Sequence, residues 1–410
     1  MNACFFTKGD LAIYFTCTRV CPDSPGVFEP RVLARFGSQL HEKDACVAAC
    51  ALPSAVVSMV DSTNREWVFK SRPKTQGVEA SDFELRPCAT PEPQEGELLV
   101  ALHLLSMDPT LRNAMAGSQA AERTDGSQYY AYMNWHPGSV PSWMVVAQVL
   151  ASKAEGFERG DMVMGMAPWR ELATVSALAV KKVPEGLAPS AALSAVGMTA
   201  RTGYLGAKFI GEPCQGDVVF VSGAAGATGL SASQTFRNLG CRVVGSAGSD
   251  EKVELLRTLG IEGFNYKKES VPEGLRRLCP QGLNVAFDNV GGETLEAILE
   301  MMNDRGRVVL CGAISQYDVP PAQRYGVKNL FHIVAKQLKV QGFIVSMSFS
   351  DTQNAECDET LNAWLREGKL QDVSTCVDGF ENVPEGLLSL FKGSNTGKCL
   401  VRVALSDLSV

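Results

Sequence analysis

The chain has 410 residues, of which 45% are hydrophobic and 20% are charged, and its formal net charge is −7. This balance is typical of folded domains and excludes a disordered chain, while the acidic charge argues against nucleic acid as the main partner. The length predicts two or three domains, and no apolar run is long enough for a membrane span.

Residues 1–62 differ from the rest of the chain and are expected to be an N-terminal extension, either disordered or targeting. They hold five of the 13 cysteines. An alternative for this segment is a zinc site, because the pairs Cys17/Cys21 and Cys46/Cys50 could supply four thiolates. The odd number of cysteines predicts free thiols in a reducing compartment. We therefore expect a cytoplasmic protein, with organellar targeting by residues 1–62 left open.

Residues 63–193 are predicted to form a β-rich domain. Short apolar runs separated by Pro- and Gly-containing turns predict strands. These runs lie at 67–69, 98–105, 144–149, 162–166 and 171–176. The domain offers one cysteine, Cys88, and two histidines, His103 and His136. A catalytic zinc site cannot be assembled from these, so no metal is expected.

Residues 217–248 carry the strongest signal in the chain. A β-branched run ending at Val221 is followed by small residues, a helical pattern and a second β-branched run from Cys241. The turn 224–229 reads AAGATG, a variant of the glycine fingerprint of dinucleotide-binding βαβ units. Small residues let the backbone approach a pyrophosphate, and the helix N-terminus offers free N–H groups.

Alternating strands and helices follow, and they predict a doubly wound parallel sheet over residues 194–350. A helix is expected to start at Asp250 with Ser249 as its N-cap. Later strands are predicted at 263–266, 284–288, 307–312 and 340–345. Residues 351–410 are predicted to form a helix and strands that return to the β-rich domain.

The position that selects the coenzyme lies about 20 residues past the fingerprint, where NAD-preferring folds place an acid. Here the residues are Gly245 to Gly248, which are small and uncharged, and Lys252 follows within one helical turn. NADPH is therefore favoured over NADH. The alternative for Lys252 is a solvated surface lysine.

Further motifs give the chain a family resemblance. From Asn64 to Val403 it resembles the zinc-independent medium-chain dehydrogenase/reductases, and more narrowly the prostaglandin reductase (leukotriene B4 12-hydroxydehydrogenase) and NADPH-dependent alkenal reductase family. The matching motifs, besides AAGATG, are GSDEK at 248–252, NYK at 265–267, FDNVGG at 287–292, CGAISQY at 311–317 and GSNTGK at 393–398.

The resemblance implies a fold, a reaction and a set of site residues. The fold would be a Rossmann domain plus a GroES-like domain, often in a homodimer, with no nucleic acid or membrane partner. The reaction would be reduction of the C=C bond of α,β-unsaturated ketones and aldehydes, such as alkenals and 15-oxo-prostaglandins. The implied coenzyme contacts are Gly226, Ala227, Thr228, Gly229, Lys252, Tyr266, Asn289, Cys311, Gly312, Ala313, Ile314, Ser315, Phe343, Ile344, Val345 and Asn395.

Tyr317 is the candidate catalytic residue. When a hydride adds to the β-carbon of an enone, negative charge develops on the carbonyl oxygen, and a hydrogen-bond donor there stabilises it. Alternatively, Tyr317 packs on the nicotinamide ribose. The family's DPYMR segment is Asp108-Pro109-Thr110-Leu111-Arg112 in this chain. The aromatic ring of the family's segment is missing here, so whether a prostaglandin is a substrate stays open. Two other functions remain: a quinone oxidoreductase of the same superfamily, and an NADPH-binding protein without catalysis.

Overall fold

The computed structural model describes residues 64–73, 77–116 and 134–403, together with the backbone of four strands between residues 5 and 42. The chain divides into two compact units, Met1–Ser62 and Thr63–Val410. The first unit holds an antiparallel sheet in the order β1-β2-β3-β4. Its strands are β1 Phe5–Lys8, β2 Leu11–Val20, β3 Phe28–Phe36 and β4 Gln39–Glu42.

Both expectations for residues 1–62 stay predictions. The side chains of Cys17, Cys21, Cys46 and Cys50, the alternative zinc ligands, lie outside the described residues. The interpretation of this segment as a disordered or targeting extension also concerns mainly residues outside the described part.

The second unit opens with β-structure around an aromatic core. The strands are β5 Asn64–Phe69, β6 Phe83–Cys88, β7 Glu97–Met107, β8 Ser142–Ser152, β9 Met162–Pro168, β10 Leu172–Ser176 and β11 Val180–Lys182. Helix α1, Leu111–Ala116, follows β7. Phe69, Trp135 and Trp169 pack edge to face, with ring centroids 5.2–6.1 Å apart between Trp135 and the other two. These rings share one core cluster with Leu111 and Met115 of α1.

A six-stranded parallel sheet follows, flanked by helices. Its strands are β12 Val218–Val221, β13 Arg242–Ala247, β14 Glu262–Asn265, β15 Leu283–Asp288, β16 Met302–Leu310 and β17 Lys339–Gly342. Helix α2, Pro189–Leu193, precedes this sheet and packs against β7, β8 and β9. The flanking helices are α3 Met198–Leu205, α4 Ala227–Asn238, α5 Asp250–Thr258, α6 Val271–Leu278, α7 Gly292–Met301 and α8 Phe331–Ala335. A π-helical turn, Gly206–Ile210, extends α3.

The order of this sheet is β14-β13-β12-β15-β16-β17, which is the Rossmann order and confirms the predicted doubly wound sheet. Both faces are covered. Val219 and Val221 point into one core cluster and Phe220 into the other, where it stacks on Phe264. Ser249 caps α5 as predicted, since its side chain accepts a hydrogen bond from the N–H of Lys252 at 3.4 Å.

The last described elements are α9 Asp351–Arg366, β18 Ser374–Asp378, α10 Val383–Lys392 and β19 Lys398–Arg402. Of these, the helix α9 packs against α3, and the two strands join the first sheet of this unit. Strand β19 pairs antiparallel with β7 and parallel with β18. The full order of that sheet is β11-β9-β8-β7-β19-β18, with β10 also on β7.

Candidate functional site

Apart from Asn395, the segments expected to contact a coenzyme follow the carboxyl ends of parallel strands. Residues 222–229 follow β12, 248–252 follow β13, 266–267 follow β14, 289–291 follow β15, 311–317 follow β16 and 343–345 follow β17. In an open α/β sheet these ends share one edge, where ligands bind. The fold therefore brings the predicted segments to one side of the sheet.

The fingerprint turn is built so that α4 begins close to β12. Gly223 has φ +58°, and a Cβ on Gly229 would lie 2.3 Å from the Gly223 carbonyl oxygen. Only glycine fits at Gly229, because the clash would be with backbone. Gly226 is the N-cap of α4, and the half-buried Ala227 and Thr228 form its first turn. Their N–H groups have no acceptor within the helix, so this end can bind an anion.

A loop from the end of the chain lies against this turn. Gly397 donates a backbone hydrogen bond to the Ala225 carbonyl at 2.8 Å and forms a parallel bridge with Gly226. The side-chain amide of Asn395 donates to the Gly397 carbonyl at 2.9 Å. Asn395 is therefore held beside the amino end of α4, although no parallel strand precedes it.

A cationic group lies after β13 and β14. Burial, and then the charge of Lys267, lower the pKa of Lys252 below its usual value. The Lys252 ammonium donates to the Gly393 carbonyl at 2.7 Å. Tyr266 is 47% exposed, and a Cβ on Gly248 would lie 3.0 Å from its hydroxyl oxygen. Two neighbouring cations and a phenol fit a phosphate, and Lys267 is a member that the sequence analysis did not name.

A buried carboxylate fixes the turn after β15. Asp288 accepts hydrogen bonds from the Ser222 hydroxyl at 2.6 Å and from the N–H groups of Val290 and Gly291, both at 3.0 Å. Burial raises the pKa of Asp288, and these hydrogen bonds only partly oppose it. Asn289 donates from its side-chain amide to the Ser222 carbonyl at 2.8 Å. Asn289 is thus rigidly placed between β12 and β15.

The loop 311–317 follows β16, which ends two residues earlier than predicted. Cys311 and Gly312 both donate backbone hydrogen bonds to the Asp288 carbonyl, at 2.9 and 3.2 Å. The N–H of Ile314 donates to the Asn289 carbonyl at 3.1 Å, and the Ser315 hydroxyl donates to the Val290 carbonyl at 2.7 Å. The loop is therefore fastened to the turn that carries Asn289.

Tyr317 turns back over this loop. Its hydroxyl accepts a hydrogen bond from the Ala313 N–H at 3.3 Å, and a Cβ on Gly312 would lie 3.0 Å from the same oxygen. A Cβ here would press on the end of the Tyr317 side chain, so the glycine lets the phenol lie close to the loop backbone. An accepted hydrogen bond also polarises the O–H group and makes it a better donor.

Of the three residues after β17, Phe343 places its ring away from the sheet edge. The ring lies in the core, 6.4 Å from Phe287 and 5.6 Å from Phe349 between centroids. A Cβ on Gly206 would lie 2.6 Å from it. Val345 packs against the same core, and Ile344 donates its N–H to the Ser348 hydroxyl at 3.0 Å. Phe343 is thus left with only its backbone for any coenzyme contact.

Two ion pairs that the sequence analysis did not identify border the site. The Lys398 ammonium lies 2.5 Å from Oδ1 of Asp108, and both side chains are buried. The Arg112 Nε lies 2.5 Å from Oδ1 of Asp318, the residue after Tyr317. Both pairs join segments that are far apart in the sequence, so no local sequence pattern predicts them.

The residues at this edge fit a bound dinucleotide. A small polar cavity adjoins the amino end of α4 and is lined by Thr199, Ala227, Gln234, Asp372 and Lys398, among others. Thr199 is buried, and its hydroxyl has no hydrogen-bond partner among the described residues. A buried hydroxyl without a protein partner leaves room for a hydrogen bond to a ligand or an ordered water.

The described ranges contain no group of three or more His, Cys, Asp or Glu side chains that could hold a metal ion. His103 lies half-buried in β7, where burial and then the charge of Arg402 lower its pKa. In the same part of the chain, no helix has the length and apolar character that crossing a membrane requires.

Comparisons with known proteins agree with this geometry. The model of the N-terminal domain of oxidoreductase matches residues 65–183, and that of the zinc-binding dehydrogenase matches residues 227–361. Prostaglandin reductase 1 of Mus musculus is 35% identical, over 78% of this chain and 94% of its own length. The NADP(+)-dependent 2-alkenal reductase of Nicotiana tabacum is 35% identical, over 83% and 98%. The crystal structure of CurA from Vibrio vulnificus in complex with NADPH is 31% identical and superposes with a TM-score of 0.75, over 83% and 99%.

Proposed function

Because the chain belongs to the zinc-independent medium-chain dehydrogenase/reductase family and is an NADP-dependent oxidoreductase, we propose that it reduces the C=C bond of α,β-unsaturated ketones and aldehydes. Alkenals and oxo-lipids are the proposed substrate class. The relatives named for prostaglandin and alkenal reduction support this class at moderate identity. The proposed partners are thus small-molecule enones and enals, rather than nucleic acid or a membrane.

NADPH is the coenzyme, and the residues that would hold it follow the strand ends. The amino end of α4, from Gly226 to Gly229, would bind the pyrophosphate together with Asn395. Lys252 and Tyr266, with Lys267 beside them, would bind the 2′-phosphate. Asn289 and the loop 311–315 would line the nicotinamide end, with the backbone of residues 343–345. NADPH bound in this groove supplies the hydride.

The position of Tyr317 carries the proposal. Its hydroxyl lies at the carboxyl end of β16, in the loop that borders the nicotinamide end, and it accepts a hydrogen bond from Ala313. We assign it the role of donating a hydrogen bond to the carbonyl oxygen of the enone, where negative charge develops. The buried Asp288 holds the turn against which this loop is fastened.

The test is an NADPH-consumption screen with alkenals, enones, oxo-fatty acids and quinones. We expect oxidation of NADPH by enals and enones, much slower oxidation of NADH, and no effect of a chelator. Mass spectrometry should find the saturated carbonyl compound rather than an alcohol. Faster turnover with quinones would replace the proposal with a quinone oxidoreductase, and no turnover with any acceptor would favour a non-catalytic NADPH-binding protein.

We also propose a homodimer formed through the edge of the parallel sheet. Strand β17 is its last strand, and edge strands offer unpaired backbone groups. Beside it, Leu330, Phe331 and Val334 are 53, 76 and 68% exposed. A second copy would cover this apolar group. Sedimentation of the wild type should give a dimer, and Phe331→Asp should shift it toward monomer; a monomeric wild type would refute the proposal.

The cytoplasm is the proposed location. All eight cysteines in the described part are free thiols, as expected in a reducing compartment. Imaging the full chain and a form lacking residues 1–62 in cells tests this. If only the full chain is found in an organelle, residues 1–62 are a targeting segment.

A further inference from the structure

The ion pair between Arg112 and Asp318 connects two parts of the second unit at the site. Arg112 lies in α1, which follows the β7 strand of the first sheet, and Asp318 directly follows Tyr317. The Arg112 Nε donates to Oδ1 of Asp318 at 2.5 Å, with side chains 11 and 35% exposed. The arginine is buried enough that its ion pair is only weakly screened by solvent.

The loop with Tyr317 is fastened at its other end within the parallel-sheet domain. Ile314 and Ser315 hydrogen-bond to the carbonyls of Asn289 and Val290. Tyr317 therefore stands between an anchor on the turn after β15 and an anchor on α1. These two points fix the path of the loop through Tyr317, in addition to the hydrogen bond that its hydroxyl accepts from Ala313.

The α1 anchor is itself fixed. The N–H of Leu111 donates to the Asp108 carbonyl at 3.0 Å, and the Asp108 carboxylate pairs with Lys398 inside the protein. Lys398 directly follows Gly397, which lies against the fingerprint turn. The segment from Asp108 to Arg112 thus contacts the coenzyme side at one end and the Tyr317 loop at the other.

We propose that Arg112 is a positioning residue for this reaction: its ion pair with Asp318 holds Tyr317 at the enone carbonyl. The proposal rests on the donor role of Tyr317 given above. It assigns Arg112 no contact with substrate or coenzyme. A donor displaced by about 1 Å can cost on the order of 100-fold in rate, so losing this anchor should lower kcat rather than weaken coenzyme binding.

The experiment compares Arg112→Gln, Asp318→Asn, the double variant and the conservative Arg112→Lys in the full-length enzyme. The matched control is Arg307→Gln. Arg307 lies 2.5 Å from Asp217 in a pair of similar burial, at the amino end of the parallel sheet. Measurements are kcat and KM for NADPH and an enone, the unfolding midpoint, and hydrogen exchange of peptides covering 311–320.

We expect about a 10- to 100-fold loss of kcat in each single variant, with KM for NADPH changed less than about threefold. The double variant should be no worse than either single one, because one interaction is lost in all three. Arg112→Lys should recover part of kcat. Exchange at 311–320 should rise in the Arg112 and Asp318 variants but not in Arg307→Gln, even if both pairs affect the unfolding midpoint equally.

Unchanged exchange at 311–320, or a kcat loss equal to that of Arg307→Gln, would overturn the positioning role. Multiplicative losses in the double variant would overturn it as well. If the wild type reduces no enone, the proposed function fails instead, and if Tyr317→Phe keeps full kcat, the donor role on which this proposal rests fails. The exchange measurement then still decides whether Arg112 holds the loop, so the two failures are distinguishable.

Discussion

The ammonium of Lys398 lies 2.5 Å from the Asp108 carboxylate, and both side chains are at most 3% exposed. Asp108 also accepts a hydrogen bond from the Trp143 indole at 2.8 Å, and another from the Ser106 hydroxyl. The pair joins β19 to the end of β7, and so connects the loop beside the coenzyme groove to the segment that leads to Arg112.

Lys398→Met should strongly destabilise the enzyme. Removing one partner leaves a buried, unpaired carboxylate, which typically costs about 3–5 kcal/mol. Urea unfolding at pH 7.5 measures this loss. Lys392→Met is the control, because its pair with Glu385 is exposed on both sides, and it should change the free energy of unfolding by less than about 0.5 kcal/mol.

The pH dependence of this effect has a definite sign. Burial alone would raise the pKa of Asp108, but the charge and hydrogen bond of Lys398, with those of Ser106 and Trp143, hold it below its ordinary value. The wild-type pair is therefore fully stabilising above the ordinary pKa of Asp, about 3.9, and is lost only as the pH falls through the lowered one. Without Lys398 the buried Asp108 carboxylate takes up a proton more readily. The difference in free energy of unfolding between the wild type and Lys398→Met should therefore be smaller at pH 5 than at pH 7.5. An equal difference at both pH values would contradict this.

Tyr317→Phe should lower kcat on an enone by about 100- to 1,000-fold, the typical cost of one donor to a developing oxyanion. KM for NADPH should change little. Tyr325→Phe is a matched control, because Tyr325 donates to Glu296 at 3.0 Å and has no assigned role in the reaction. Full turnover by Tyr317→Phe would leave the phenol with a packing role.

Lys252→Ala should raise KM for NADPH by about 10-fold or more while leaving that for NADH unchanged, since a hydrogen bond to a charged group contributes about 1.5–3 kcal/mol. Burial and the charge of Lys267 lower the pKa of Lys252, and its positive form is lost as the pH rises through that value. Wild-type affinity for NADPH should thus fall at alkaline pH, and the variant should lack this component. Equal losses for both coenzymes would refute phosphate recognition.

Cys311 should resist alkylation in the folded enzyme. Burial, and then the charge of Asp288, raise the pKa of its thiol to about 12, so at pH 8 almost no thiolate is present. Mass spectrometry after iodoacetamide treatment should find Cys311 unmodified while the exposed Cys214 is modified. Added NADPH should make no difference to Cys311; rapid modification at pH 8 would show that the thiol is accessible.

Local signals predicted the parallel sheet well. The β-branched run at 218–221, the small residues that follow and the Ser249 cap act within a few residues of one another, and each element appears close to its predicted position. Strand β16 begins at Met302, earlier than the predicted 307, and the prediction ran two residues past its end because apolar residues continue past Leu310 into the loop. The helix Val383–Lys392 was missed, although it has Pro384 in its first turn and Gly393 as a left-handed C-cap.

The contacts that shape the candidate site could not be predicted from local sequence signals. Asp108 and Lys398 come together only when β19 pairs with β7. Arg112 and Asp318, and Gly226 and Gly397, come together only when the two sheets of the second unit are in place. The ring of Phe343 enters the core because Gly206 leaves room for it, which depends on how α3 and its π-helical extension pack. Such partners are set by tertiary packing and carry no periodic signal in the sequence.

The pairing of Lys398–Arg402 with Glu97–Met107 has a consequence for synthesis on the ribosome. The parallel sheet uses only residues 218–342 and can form as soon as that stretch has emerged. The first sheet is complete only after β18 and β19 have been synthesised. Once residues up to 350 have emerged, the parallel sheet should therefore be complete while the edge of β7 stays open. Chaperones that shield unpaired strand edges would be needed for this interval, and only until residue 402 is released.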